Sequence, residues 1–133
     1  MYNKIEDGTV NIVKVDLDFD QTSSINKTNL KNIYLNYCEI INSINDKIDL
    51  VLINGRFQIV CLITTFLTRP KARVLFHNYY EMYHNNSSKI LEQISNVKER
   101  AYAYTRIERK NNLTNDELKE ILNNLDFKSL DYR

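Results

Sequence analysis

Polar and apolar residues alternate over positions 9–19, with Val10, Ile12, Val15, Leu17 and Phe19 apolar. A period near two predicts a half-buried strand over about 10–17, its outer face carrying Lys14, Asp16 and Asp18. From Leu30 the spacing changes: Ile33, Tyr34, Tyr37, Cys38, Ile41 and Ile44 recur every three or four residues, which predicts an amphipathic helix packed on a sheet. The run from Asp49 to Ile53, Leu-Val-Leu-Ile after the Asp, ends at Asn54-Gly55 and reads as a strand over 49–53 buried on both faces, central and parallel. Residues 57–67 are apolar nearly all round and follow a glycine turn, so a buried helix is expected there. Pro70 closes that helix and 72–77 reads as a second central strand, so strand, helix and strand form one right-handed crossover. A further helix carries Ile90, Leu91, Ile94 and Val97, and Tyr102, Tyr104 and Arg106 alternate with Ala101, Ala103 and Ile107 in one closing strand at 101–107. Thr114 and Glu117 form a capping-box pattern ahead of Leu118, Ile121, Leu122 and Leu125, placing a final helix at about 114–125.

The 133 residues suit a single domain, expected over 1–133, with enough length for a real core. Eighteen basic residues against seventeen acidic ones argue against a dedicated nucleic-acid binder, so no nucleic-acid partner is expected. The longest apolar run is far below the roughly 20 residues of a membrane span, and the first residues lack a signal-peptide apolar region, so a cytoplasmic chain without a membrane partner is expected. Abundant Asn, Ile, Lys and Tyr point to an A+T-rich genome and carry no functional information. Cys38 and Cys61 both sit in apolar segments and read as small buried hydrophobes, neither disulfide, ligand nor nucleophile. Gly8 and Gly55 are the only glycines, too far apart for a dinucleotide turn or a phosphate loop.

In open α/β sheets ligands sit beyond the carboxyl ends of the parallel strands. Two such ends are readable: Asn54-Gly55-Arg56, with a tight turn and a guanidinium fork, and His77-Asn78-Tyr79. If the strands are neighbours, Asn54, Gly55, Arg56, His77, Asn78 and Tyr79 line one cleft with amide, guanidinium, imidazole and phenol groups. A plain turn and a strand-ending histidine explain the same residues without a ligand.

The stretch Asp49-Leu-Val-Leu-Ile-Asn54-Gly55-Arg56-Phe57-Gln58-Ile-Val-Cys61, followed by Leu75-Phe76-His77-Asn78-Tyr79, resembles the C-terminal half of a poorly characterised, methyltransferase-like class I family dependent on S-adenosylmethionine. The family pattern is strand, Asp-Gly-Arg-Phe-Arg, apolar helix, strand, His-Asp-Tyr. The likeness extends upstream, where Val13 to Asp16 looks like the family's third strand. It implies a truncated Rossmann-like α/β fold: a three-layer sheet of mostly parallel strands with flanking helices, lacking the half that carries the glycine-rich cofactor turn. The family's Asp stands at Asn54, its second Arg at Gln58, and the Asp of His-Asp-Tyr at Asn78. An amide keeps shape and hydrogen bonds but accepts no proton and neutralises no cation. The resemblance therefore implies a degenerate, non-catalytic relative that binds no S-adenosylmethionine alone. Truncation also exposes a sheet edge, which a second copy or a partner chain is expected to cover.

Two rival readings come from other residues. Asp18-Phe-Asp20-Gln-Thr22 resembles the Asp-x-Asp-x-Thr pattern of haloacid-dehalogenase-like phosphatases, in which the first Asp is the nucleophile and the second the general acid beside magnesium. No later acidic pair supplies the other magnesium ligands, and a solvated strand edge explains the same acids. Alternatively Tyr79, Tyr80 and Tyr83 with Arg56 form a contact patch of a protein-interaction module. The basic residues from Lys89 to Lys110 are interleaved with Glu92, Glu99 and Glu108 and read as a solvated face.

Overall fold

The computed structural model describes residues 2–4, 11–13, 38–44, 47–55, 57–80 and 87–126. The elements are β1 (Tyr2–Lys4), β2 (Asn11–Val13), a 3-10 helix (Glu39–Ser43), β3 (Leu50–Ile53), α1 (Gln58–Thr68), β4 (Arg73–His77), α2 (Ser87–Ile94), β5 (Ser95–Ala101), β6 (Tyr104–Arg109) and α3 (Asn115–Asn123). The chain is α/β, built on an open four-stranded mixed sheet of order β3-β4-β6-β5.

The crossover is as the pattern predicts. Val51 lies beside Val74 and Ile53 beside Phe76 in a parallel pair, joined by the apolar helix α1. The rest of the sheet is not parallel: β6 runs antiparallel to both β4 and β5, so β3–β4 is the one parallel pair in it. The expected single strand at 101–107 is a hairpin. Its turn lies at Tyr102-Ala103, where Tyr102 takes a left-handed φ of 57° without the glycine or asparagine that would have announced it. The outgoing strand was also hidden, since Lys98, Glu99 and Arg100 interrupt any alternation and a register shift lies between Val97 and Glu99. Val97 thus belongs to β5, not to the preceding helix.

The strand expected over 49–53 is found at Leu50–Ile53, parallel but not central. Among the described strands it is the sheet edge, and its outward residues Leu50 and Leu52 are 50% and 57% exposed. An apolar run can be one buried face plus one uncovered apolar face, and a run alone does not separate the cases. The N-terminal strand expected over 10–17 is described only at Asn11–Val13, which pairs antiparallel with Tyr2–Lys4 in a separate two-stranded sheet. Of the helix expected from Leu30, the described part is Cys38 followed by the 3-10 helix Glu39–Ser43.

One core joins the sheet to the helices. Ile53, Val74, Phe76 and Ile107 from the strands meet Leu62, Ile63 and Phe66 of α1, Leu91 and Ile94 of α2 and Leu118 of α3. These strand residues share one face of the sheet by register, so the described helices form one layer rather than the two that a three-layer architecture requires. α1 is apolar all round because it lies in the middle of that layer, touching β3, the 3-10 helix and α3. The capping box is formed: Glu117 N–H donates to Thr114 Oγ1 at 3.1 Å, and Thr114 N–H donates to Glu117 Oε2 at 2.9 Å. Arg109, read from sequence as part of a solvated face, instead ties layers together. Its guanidinium donates to Phe66 O near the end of α1 at 2.9 Å, to Asn115 Oδ1 at 2.7 Å and to Leu113 O at 2.6 Å. On the opposite face of the sheet, Arg106 pairs with Glu99 and Glu108, and Lys98 with Glu108, at 3.5–3.8 Å. Those exposed pairs match the expected solvated face and add little stability. No described helix is long and apolar enough to cross a membrane.

Candidate functional site

The two expected strand ends are neighbours, and their residues are set by backbone turns that few residues adopt. After Ile53 the chain passes Asn54 and turns at Gly55, whose φ is 104°. A Cβ added at Gly55 would meet nothing within 4 Å, so glycine is needed there for conformation and not for space. Phe57 then caps α1 with a left-handed φ of 61°, unusual for an aromatic residue, and is held there by burial to 4% exposure. Arg56, between them, lies outside the described residues. At the second end Asn78 is also left-handed, φ 56°, a conformation asparagine tolerates. Its N–H donates to Ala103 O at 2.7 Å, which links the end of β4 to the hairpin turn.

Gln58, the first residue of α1, joins the two ends. It is 3% exposed, and its Nε2 donates to His77 O at 2.9 Å and to Ile53 O at 3.3 Å, the last carbonyls of β4 and β3. One buried amide thus bonds to both carbonyls at the crevice between parallel strands. The sequence pattern gave Gln58 only as a departure from the resembled family; its tie was not readable without the register.

Above that tie lies a small polar cluster. Asn54 Nδ2 donates to Tyr104 Oη at 3.3 Å, and the His77 and Tyr104 rings lie 5.0 Å apart at 51°. Tyr104 was not expected in the site. The signal was its antiparallel register, which sets it directly opposite His77, and alternation alone does not fix register. The cluster therefore holds an amide, an imidazole and a phenol, and none of residues 50–55, 73–80 and 101–105 is an acid. No group of three potential metal ligands occurs among the described residues.

Tyr79 is not in the cleft. The left-handed turn at Asn78 sends its ring into the core at 5% exposure, edge-on to Phe76 at 6.0 Å. Its hydroxyl is hydrogen-bonded with Ser95 Oγ at 3.4 Å, and Ser95 Oγ donates to Leu91 O at 2.5 Å. Burial pushes the phenol up from its ordinary value of 10.0, with Tyr80 and Glu92 adding to that, while the Ser95 hydrogen bond pulls the other way. A group whose pKa is higher folded than unfolded stabilises the fold below the unfolded value and loses that contribution as pH rises through the folded one. Stability is therefore expected to fall above about pH 10, and Tyr79→Phe to flatten that alkaline limb in pH-dependent thermal melts. An unchanged limb would show that Tyr79 does not titrate in the fold.

The expected tyrosine patch is thus broken up. Tyr79 is buried, Tyr80 is 39% exposed with the Arg100 guanidinium 4.3 Å over its ring, and Tyr83 lies outside the described residues. A cavity of about 60 Å³ opens beside Asn78, Tyr80, Arg100 and Thr105. A wider groove of about 670 Å³ lies between α2 and α3, lined by Ile90, Gln93, Leu113, Glu117 and Ile121, away from the strand ends. Asp18 and Asp20, the phosphatase candidates, lie outside the described residues. No family model, curated protein or solved structure matches this chain.

Proposed function

We propose that the chain is a methyltransferase-like domain without catalysis of its own, which acts by binding another chain. One observation carries this reading. The strand, turn, apolar helix and strand of the resembled pattern occur in order, and the adjacent strand ends present Asn54 and Asn78 where that pattern has carboxylates. Asn54 gives a hydrogen bond to a phenol, and the Asn78 backbone gives one to Ala103. Neither side chain can act as a general base or offset the positive charge of a sulfonium. Gln58 spends its amide on the crevice carbonyls, where the pattern has a second arginine.

The binding part of the reading rests on β3. Its outward leucines, Leu50 and Leu52, are half exposed on the strand that is the edge among the described ones, the kind of surface that a partner strand or a second copy covers. Calorimetric titration of the chain with S-adenosylmethionine, with sedimentation run on the same sample, tests both parts. The expected result is no heat of binding at micromolar ligand, with self-association that Leu52→Lys abolishes or a chain that stays monomeric until its partner is added. Micromolar S-adenosylmethionine binding would overturn the reading.

A further inference from the structure

Cys38 and Cys61 come from separate elements, 23 positions apart, yet their sulfurs stand 3.0 Å from each other. Cys38 sits at the start of the 3-10 helix and is 5% exposed; Cys61 lies on α1, one turn beyond Gln58, and is partly exposed. We propose that Cys38 and Cys61 form a reversible intramolecular disulfide that fastens the 3-10 helix to α1.

The sulfurs are already in contact, the first thing such a bond demands. The two sulfurs need to approach by only about 1 Å to reach the roughly 2.05 Å of a disulfide. Both residues lie in helical segments already in contact, so the bond asks for little backbone movement. The pair has unequal access, which sets the order of events. The hydrogen bond to the neighbouring Cys61 sulfur, burial and the nearby Glu39 all push the Cys38 thiol up, so it is a poor thiolate on its own. Attack therefore begins at Cys61, the sulfur nearer solvent.

The oxidant is a small disulfide of the glutathione class. The Cys61 thiolate attacks one of its sulfurs, breaking the small S–S bond, forming a mixed disulfide and releasing one small thiol. Cys38 then gives up its proton and displaces the second small thiol from Cys61. One protein S–S bond forms as two protein S–H bonds are lost; the small disulfide takes up two electrons and two protons and leaves as two thiols. A buried resolving sulfur in contact with a more accessible one is the arrangement that makes the second step intramolecular. The bond would fix α1 one helical turn from Gln58, the residue that joins the two strand ends.

The test equilibrates the purified chain in glutathione buffers of graded reduced-to-oxidised ratio, then quenches with an alkylating agent. The expected product is two hydrogens lighter, with a cross-linked peptide pair containing Cys38 and Cys61, and it re-reduces as the ratio is reversed. Oxidation is expected to raise the melting temperature by on the order of 10 °C, from the usual effect of closing a loop of this size. Cys61→Ala, at a partly exposed helix position, folds and loses that rise. Two alkylated cysteines in oxidised buffer, or Cys61 left as a stable mixed disulfide with glutathione, would overturn the proposal.

Discussion

Replacing Gln58 by leucine is expected to lower the free energy of unfolding by about 1–3 kcal/mol, although leucine is close to glutamine in size and suits a buried helix position. The loss comes from a carbonyl left without its donor, not from the side chain's volume. Ile53 O and His77 O both accept from the single Gln58 amide, and a buried carbonyl stripped of its donor costs about 1–3 kcal/mol. Both sit at strand ends where the next residues turn away, at Gly55 and Asn78; the parallel register gives Ile53 O the His77 N–H as well, so the loss falls on His77 O. Urea unfolding followed by circular dichroism reads this directly: the midpoint should fall while the denaturant slope stays constant. A change below about 0.5 kcal/mol, within the range of ordinary surface substitutions, would mean that water or another donor serves that carbonyl.

Phe66→Ala is expected to cost about 3–5 kcal/mol, a large share of the 5–15 kcal/mol that holds a typical domain together. Phe66 is 0% exposed and belongs to the cluster that joins α1 to the strands and to Leu118 of α3. The change also isolates packing from polar ties, because Arg109 bonds to the Phe66 backbone carbonyl and keeps that partner in the variant. For a chain of this length the melting temperature should drop by on the order of 10–20 °C. A drop of only a few degrees would show that the core closes over the cavity, or that α1 is not its centre.

These two residues also show what a sequence can and cannot reveal. The apolar stretch holding Phe66 is legible as a buried helix because its composition, length and flanking Gly55 and Pro70 agree. The parallel pair on either side follows from the crossover, and the capping box at Thr114 is a local signal with a local cause. Gln58 is different. Its role depends on two carbonyls 5 and 19 positions away, and no short-range pattern encodes that. The hairpin was missed for a related reason. Tyr102 adopts a left-handed turn without a turn residue, and the charged face of β5 hides its alternation. Parallel against antiparallel is likewise a property of pairing, so the antiparallel β6 beside β4 could not be read from β6 itself.

The site divides along the same line. Asn54, Gly55, His77 and Asn78 were legible because strand ends next to a helix are where such sheets place their polar groups. Tyr79 was misplaced because one left-handed residue reverses the side on which the next ring falls. Tyr104 was missed because its membership rests on register. The cysteines were read singly, each as a small hydrophobe, and only the packing of the 3-10 helix against α1 turns them into a pair.

The side-chain amide protons of Gln58 measure most directly whether the two parallel strand ends are joined as described. In nuclear magnetic resonance spectra those protons should exchange slowly in deuterated water and show cross-relaxation to the backbone of His77 and Ile53. Exchange at the rate of a solvent-exposed glutamine, with no contact to either residue, would contradict the joined strand ends and the reading of the site built on them.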